Sequence, residues 1–407
     1  EISCSLVGSE MCIRDSPIVY TKFGQEEGDN VDSQEAAYRQ FFKDLDEGVK
    51  LINEYKKDNA ALEPFAAADI LMPAGKRTLS QWVKFANSLR LRLAIRVSMS
   101  APDLARAEVA KAMDATAGGV LESADETVAV STESGYKNPL GTVNEGWGEV
   151  FMGATMESVL VGYNDPRLIK YYSKAEGGDI KDEKGNLIIA ERNKIAGTYK
   201  GVPQGTGVTV KDENRYRLHS KSTITKQTDA ILMTAAEVWF LRAEAALRGF
   251  TSENVKDCYE KGITVSCQQW GVNVGDYLTS DATPSDYVDA FEAKYDVKAL
   301  IKVTPKWDGG ASPEEQLERI LTQKWIACYP EGYEAWTEQR RTGYPQLFKV
   351  FVNNSGGAID TNIRIRRLPY PSDIQKNNPT QYSALKKALG GEDNGGTRLW
   401  WDTGRNF

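Results

Sequence analysis

The chain has 407 residues and a net charge of −7, from 50 Lys and Arg against 57 Asp and Glu. At that length, with 41% hydrophobic and 26% charged residues, it can bury a sizeable core and is neither disordered nor fibrous. The negative balance argues against a nucleic-acid partner, which needs a basic face. The single histidine, His219, excludes an HExxH zinc site and forces any His-dependent triad through one residue. No apolar run reaches the ~18 residues that span a bilayer as a helix.

Residues 1–16 (EISCSLVGSEMCIRDS) lack the basic and apolar regions of a signal peptide. Residues 6–15 (LVGSEMCIRD) instead resemble the in-frame translation of a transposase-end adapter used in sequencing libraries. Residues 1–16 are therefore expected to be non-native, with the natural protein beginning upstream of Pro17. Beyond them stand Cys258, Cys267 and Cys328, none in a CxxC, so neither a zinc ribbon nor a closed disulfide framework is written. Buried structural thiols are the expectation.

In chain order, residues 32–55 carry a capping pattern at Asp32 and Glu35 and a helical apolar stripe from Tyr38 to Ile52. Residues 78–98 follow, capped by Thr78 and Gln81. Their predicted stripe is Leu79, Trp82, Phe85, Ala86, Leu89, Leu93 and Val97, with Arg90, Arg92 and Arg96 largely off it. A third helix starts at Pro102 and stops at Gly118-Gly119. From about residue 120 to 228 Gly, Asn and Pro punctuate the chain, which predicts long ordered loops, a few short strands and one short helix over 147–161. Residues 229–248 and 252–270 predict a helical hairpin of the tetratricopeptide kind, with alanines allowing close approach. Ser312-Pro313-Glu314-Glu315 opens another helix, and residues 332–341 a shorter one, before a loop-rich end. The fold class is mostly α, with degenerate helical hairpins, long loops and few strands.

Catalytic motifs are sparse. The glycine-rich GVPQGTGV at 201–208 lacks the P-loop Lys and Ser/Thr, the charged turn at 179–186 does not match a calcium loop, and no GxSxG elbow exists. Carboxylate pairs for glycoside hydrolysis remain available among 57 acids, and a hydrolase on an α scaffold is the alternative from a different class. Aromatics say more. Trp82, Trp239, Trp325 and Trp336 fall at helical spacing and are expected in the core. Trp147 lies between two glycines near Asn144, Trp270 ends its helix, and Tyr136 and Tyr163 lie in Asn/Gly/Pro-rich loops. Rings presented beside amides suit stacking on sugars, so Trp147, Trp270, Tyr136, Tyr163 and Asn144 are the candidate ligand contacts; pinning loops to the body is the competing reading for each. No catalytic, cofactor or metal residues are assigned.

The segments WVKFANSLRLRLAIRVS (82–98), NDPRLIKYY (164–172), YKGVPQG (199–205), ILMTAAEVWFLRAEAALRGF (231–250), QKWIACYPEGYEAWTEQRRTGYPQL (323–347), RRLPYPSDIQKNNP (366–379) and TRLWWD (397–402) resemble the SusD/RagB-type outer-membrane nutrient-binding lipoproteins. The resemblance runs over 17–407 as one domain lacking the family's N-terminal part. It implies a helical body with four degenerate tetratricopeptide-like hairpins and a loop-rich ligand side, in which Trp325, Arg340 and Arg341 belong to the framework. It also implies a surface-exposed protein, held to the outer membrane by a lipid anchor, that captures oligosaccharide or peptide without catalysis. The implied partner is a SusC-like TonB-dependent transporter. Ligand contacts vary across such proteins, so none transfers by motif.

Overall fold

The computed structural model describes residues 16–23, 31–207 and 214–407. The adapter-like residues 1–15 lie outside these. Ser16 does not: it is buried, and its hydroxyl accepts from Arg367 at 2.8 Å, while Pro17 O accepts from the Tyr370 hydroxyl at 3.0 Å. Helix α1 (Gln34–Asp58) is capped by Ser33, whose Oγ accepts the Ala36 amide. Asp32, the expected cap, instead takes the backbone amides of Tyr20 and Thr21 and the Thr21 hydroxyl. Helix α2 (Leu79–Arg96) starts at the expected Thr78 cap, and α3 (Pro102–Ala112) at its proline.

The middle of the chain carries β1 (Val128–Val130), α4 (Pro139–Trp147), α5 (Ala154–Gly162), the single turn α6 (Leu168–Tyr171), β2 (Ile180–Lys181), β3 (Leu187–Ile189) and β4 (Ala230–Met233). Strands β1 and β4 pair antiparallel with Val128 opposite Met233, and β2 and β3 close a hairpin with Ile180 opposite Ile189. Its turn is held by Asp182, which accepts the Lys184 and Asn186 amides as an ordinary solvated turn does. The helical body resumes with α7 (Ala235–Leu247), α8 (Val255–Gln269), α9 (Pro313–Ala327) and α10 (Gly332–Thr342), then α11 (Ser372–Asn377) and α12 (Pro379–Leu389).

The hairpin of α7 and α8 is the centre of the body, with α9 and α2 packed against α7. Its helices meet where Gly262 faces Phe240: a Cβ there would lie 2.8 Å from the ring, so only glycine permits this approach. Ala243 is fully buried at 0% exposure while Ala246 is half-buried, so the alanines are not equivalent. Ala243→Leu is expected to lower stability by about 1–3 kcal/mol through overpacking. Ala246→Leu should fall within about 0.5 kcal/mol of the parent, as for a surface change. Equal midpoints for the two variants in chemical denaturation would refute this packing.

Helix α2 corrects the expected stripe. Its deepest side chains are Val83, Leu91, Ala94 and Ile95, whereas Trp82, Phe85, Leu89 and Leu93 are only half-buried. Trp239, Trp325 and Trp336 are likewise half-buried, packed at the margin of the core rather than inside it. Arg90, Arg92 and Arg96, expected off the apolar stripe, are all buried. The helix is enclosed on several sides, so its polar face is paired inside the protein rather than solvated.

The NDPR segment locks the loop side to this body. Arg167 and Asp165 are both buried; the guanidinium donates to Asp165, to the Ser266 hydroxyl of α8 at 3.0 Å and to Gln323 Oε1 of α9 at 2.9 Å. The Tyr277 hydroxyl donates to Asp165 and accepts from Gln323 Nε2, which closes the network.

Candidate ligand-binding surface

The candidate surface is built on an extended strap, residues 220–229. On one side Phe151 and Lys221 form an antiparallel bridge; on the other Tyr172 pairs with Ser222, and Ser173 N donates to Lys221 O at 2.9 Å. Helix α4 sits across it. Residues 139–147 are helical ahead of the helix expected over 147–161, because Asn138-Pro139 is a helix start: Asn138 Oδ1 accepts the Leu140 amide, and proline occupies the first turn, where its missing N–H costs nothing. Gly141 lets the helix press down, because a Cβ there would meet Thr225 backbone at 2.1 Å. Asn144 then clamps the strap, its Nδ2 donating to Ser222 O and Ile224 O, both at 2.8 Å. Glu145 accepts the Lys226 amide at 2.8 Å, and Asn138 donates to Lys226 O and Thr228 O.

Trp147 is the last residue of α4, ahead of Gly148 in the left-handed conformation, and its side is 63% exposed. A tryptophan so uncovered, on a helix fixed by this many backbone contacts, is a rigid apolar face open to solvent. Tyr136 stands just before the other end of α4 and is 37% exposed. Asn144 and Trp147 thus lie on α4 and Tyr136 just ahead of it. Asn144 serves mainly to hold that helix to the strap.

Trp270 is elsewhere. Half-buried at the end of α8, it meets Tyr171 edge-on at 4.7 Å and Tyr329 at 6.0 Å. It lines a separate cleft of about 460 Å³ with Arg77, Thr127, Ser131 and Asp229. Its indole nitrogen is enclosed, with no hydrogen-bond partner among the described residues. Tyr163 is 1% exposed and its hydroxyl donates to Val303 O at 2.6 Å. Burial pushes that phenol well above its usual range. Its ring is a packing element tied to a loop carbonyl, with no face for a ligand, because α5 turns it toward Tyr277 in the main core.

Groups that could carry bond-breaking chemistry are poorly placed. His219 is buried beside Tyr216 and Phe291, and burial, with Lys200 adding to it, drives its pKa down to about 3. It is neutral near pH 7, and neither ring nitrogen has a hydrogen-bond partner among the described residues. Cys258, Cys267 and Cys328 are free and buried, and burial raises all three thiols, away from nucleophilic thiolate. Lys200 and Glu157 form a buried pair at 2.6 Å that also binds Gly201 N, which fixes the YKGVPQG loop to α5.

Comparison with known proteins places this geometry. The family model for SusD-like proteins, the SusD and RagB outer-membrane lipoproteins, matches residues 15–402. The chain belongs to the SusD-like family. Among solved structures it is similar to a SusD homologue from Bacteroides vulgatus at 49% identity and TM-score 0.89, covering 98% of this chain and 78% of that one. A chitin-binding SusD homologue from Flavobacterium johnsoniae matches at 35% identity and TM-score 0.87, again over 98% and 78% of the two chains. A SusD homologue from Bacteroides uniformis matches at 33% identity and TM-score 0.83, over 98% and 79%. No curated protein matches. The SusD-like assignment makes this a nutrient-binding outer-membrane lipoprotein by family. Among the described residues no helix is long and apolar enough to cross a membrane. The family blocks read in the sequence fall on the framework: Arg340 and Arg341 are buried, and Trp325 packs against the main core.

Proposed function

We propose that this SusD-like chain is a non-catalytic, surface-exposed subunit that captures oligosaccharide, with residues 17–407 acting as one nutrient-binding domain. The exposed, rigidly mounted Trp147 carries the reading. A sugar ring would stack on the indole, Tyr136 would offer a second platform ahead of α4, and Asn144 would hold the helix in place. The Trp270 cleft is a second, more enclosed place for part of the same ligand. The likeness to a chitin-binding homologue supports a glycan over a peptide. By its family the captured ligand would pass to a SusC-like TonB-dependent transporter, with the protein tethered through a lipid anchor.

Trp147→Ala is expected to weaken glycan binding by about 1–3 kcal/mol, by analogy with aromatic stacking on bases. Its unfolding free energy should change by less than about 1 kcal/mol, since the ring lies outside the core. Calorimetric titration with a panel of oligosaccharides, paired with denaturation of the same samples, checks both halves. An affinity that survives the substitution would remove Trp147 from the site.

A further inference from the structure

The surface around Trp147 has an electrostatic character opposite to that of the whole protein. The three backbone segments that meet there, residues 137–149, 170–174 and 220–229, carry Lys137, Lys170, Lys174, Lys221 and Lys226 against Glu145, Glu149 and Asp229. Lys137, Lys170 and Lys174 are exposed, and Lys221 and Lys226 half-buried. None of the five makes an ion pair among the described residues, although lysines elsewhere in the chain commonly do so, as Lys84, Lys111 and Lys298 show. Each of the three carboxylates has a partner, Asp229 accepting the Thr132 amide and hydroxyl. Glu145 accepts the Lys226 backbone amide, and Glu149 has a partner of its own.

The lysines are also held in register with the ring. Lys221 Nζ lies 3.7 Å from where a Cβ on Gly148 would stand, one residue from Trp147, and 5.9 Å from the Phe151 ring centre. The Lys221 ammonium therefore stands within contact distance of the backbone next to Trp147. Lys226 is fixed through its own backbone to Asn138 and Glu145 at either part of α4, and Lys174 follows Ser173, whose amide binds Lys221 O. Five lysines against three acids on these segments, in a protein of charge −7, give a locally positive balance that attracts anions and repels none of the neutral surface of a sugar.

Building on the glycan reading, we infer that the ligand of the Trp147 surface is an anionic saccharide, one bearing carboxylate or sulfate groups, whose rings stack on Trp147 while its charges meet Lys221 and Lys226. Neutral glycans would gain the stacking without the charge contacts.

The test is calorimetric titration of the full chain with oligogalacturonate, with N-acetyl-chitohexaose and maltohexaose as neutral probes, at 20 and 200 mM salt. Oligogalacturonate is expected to bind at least tenfold tighter than either neutral probe at low salt, and to lose most of that advantage at high salt, where charge attraction is screened beyond ~7 Å. Lys221→Gln combined with Lys226→Gln should cost it about fivefold or more, with the neutral probes unaffected. Lys43→Gln combined with Lys57→Gln, on exposed α1, serves as the control and should change nothing. If it weakens binding equally, the attraction is non-specific and the inference fails. A neutral probe bound as tightly as the anionic one, with a Trp147→Ala loss and no salt dependence, would overturn the anionic class and leave the glycan reading standing. Silence of all three probes towards the folded protein would overturn both.

Discussion

Glu334→Gln is expected to cost about 3–5 kcal/mol of stability, the penalty for leaving a buried counter-charge unpaired. Glu334 is 0% exposed, on α10, and faces cations from two other helices. Its Oε2 pairs with Arg96 of α2, and its Oε1 accepts from Lys324 of α9 at 3.1 Å. Lys324 also lies 3.2 Å from Glu338, and Arg92 binds Glu237 of α7 through Nε at 2.7 Å. Further along, Arg341 bridges Glu338 and Glu244, and Arg248 returns to Glu244 at 2.7 Å. Burial disfavours the Lys324 ammonium, but Glu338, Glu334 and Glu237 together outweigh it and raise its pKa. Four helices are therefore joined through one chain of buried charges. Glutamine keeps the shape of Glu334 but removes its charge and turns one acceptor into a donor facing Arg96 or Lys324. The exposed pair of Glu35 and Arg39 supplies the comparison, since Glu35→Gln should cost about 0–0.5 kcal/mol. Urea midpoints for the two variants that shifted by the same small amount would show that the network contributes little.

Much of the helical body was legible because its starts are local chemistry. Thr78, Ser312-Pro313 and Pro102 each begin a helix where expected, since a cap needs only its own few residues. The depth of each face was not legible in the same way. Trp82 and Phe85 scan as core, yet Arg90, Arg92 and Arg96 lie deeper, because acidic partners from other helices receive them. Periodicity cannot show a buried cation whose counter-charge lies on another helix, 18 residues away for Arg90 and more than a hundred for Arg92 and Arg96. Residues 230–233, expected as the start of a helix, form β4 instead because β1 supplies its edge, and the helix is delayed to the Thr234 cap.

The candidate surface was half legible. Trp147 stood out by its flanking glycines, and its exposure follows from them in part. The Asn138-Pro139 start of α4 was a readable signal that the surrounding glycines obscured. Tyr163 could not be separated from Trp147 by composition, since both lie in Gly- and Asn-rich stretches. What separates them is the partner: Tyr163 finds Val303 O in the interior, whereas Trp147 has the outward end of a short helix. The strap lysines were invisible for a different reason. They are scattered over some ninety residues of sequence and converge only when the backbones of 170–174 and 221–226 bridge at Tyr172 and Ser222.

Arg167→Met should be as damaging as the loss of Glu334, about 3–5 kcal/mol, for a related reason. Methionine fills much of the volume but leaves the Asp165 carboxylate enclosed, with the Tyr277 hydroxyl as its remaining side-chain donor. It also strands the Ser266 hydroxyl and the Gln323 carbonyl that Arg167 satisfied on α8 and α9. Removing both charges together in Asp165→Asn/Arg167→Met should be milder than the sum of the two single losses by more than about 1 kcal/mol, as for residues in one network. The single change should also reach the ligand surface. Arg167 O accepts the Tyr171 amide and Tyr171 O accepts the Thr223 amide, so only two backbone hydrogen bonds separate this lock from the strap beneath α4. Amide hydrogen exchange would therefore rise at 221–226 in Arg167→Met while staying unchanged in the α7–α8 hairpin near Gly262. Strictly additive single and double variants, with exchange altered evenly across the chain, would reduce the NDPR segment to one more buried ion pair with no special hold on the loop side.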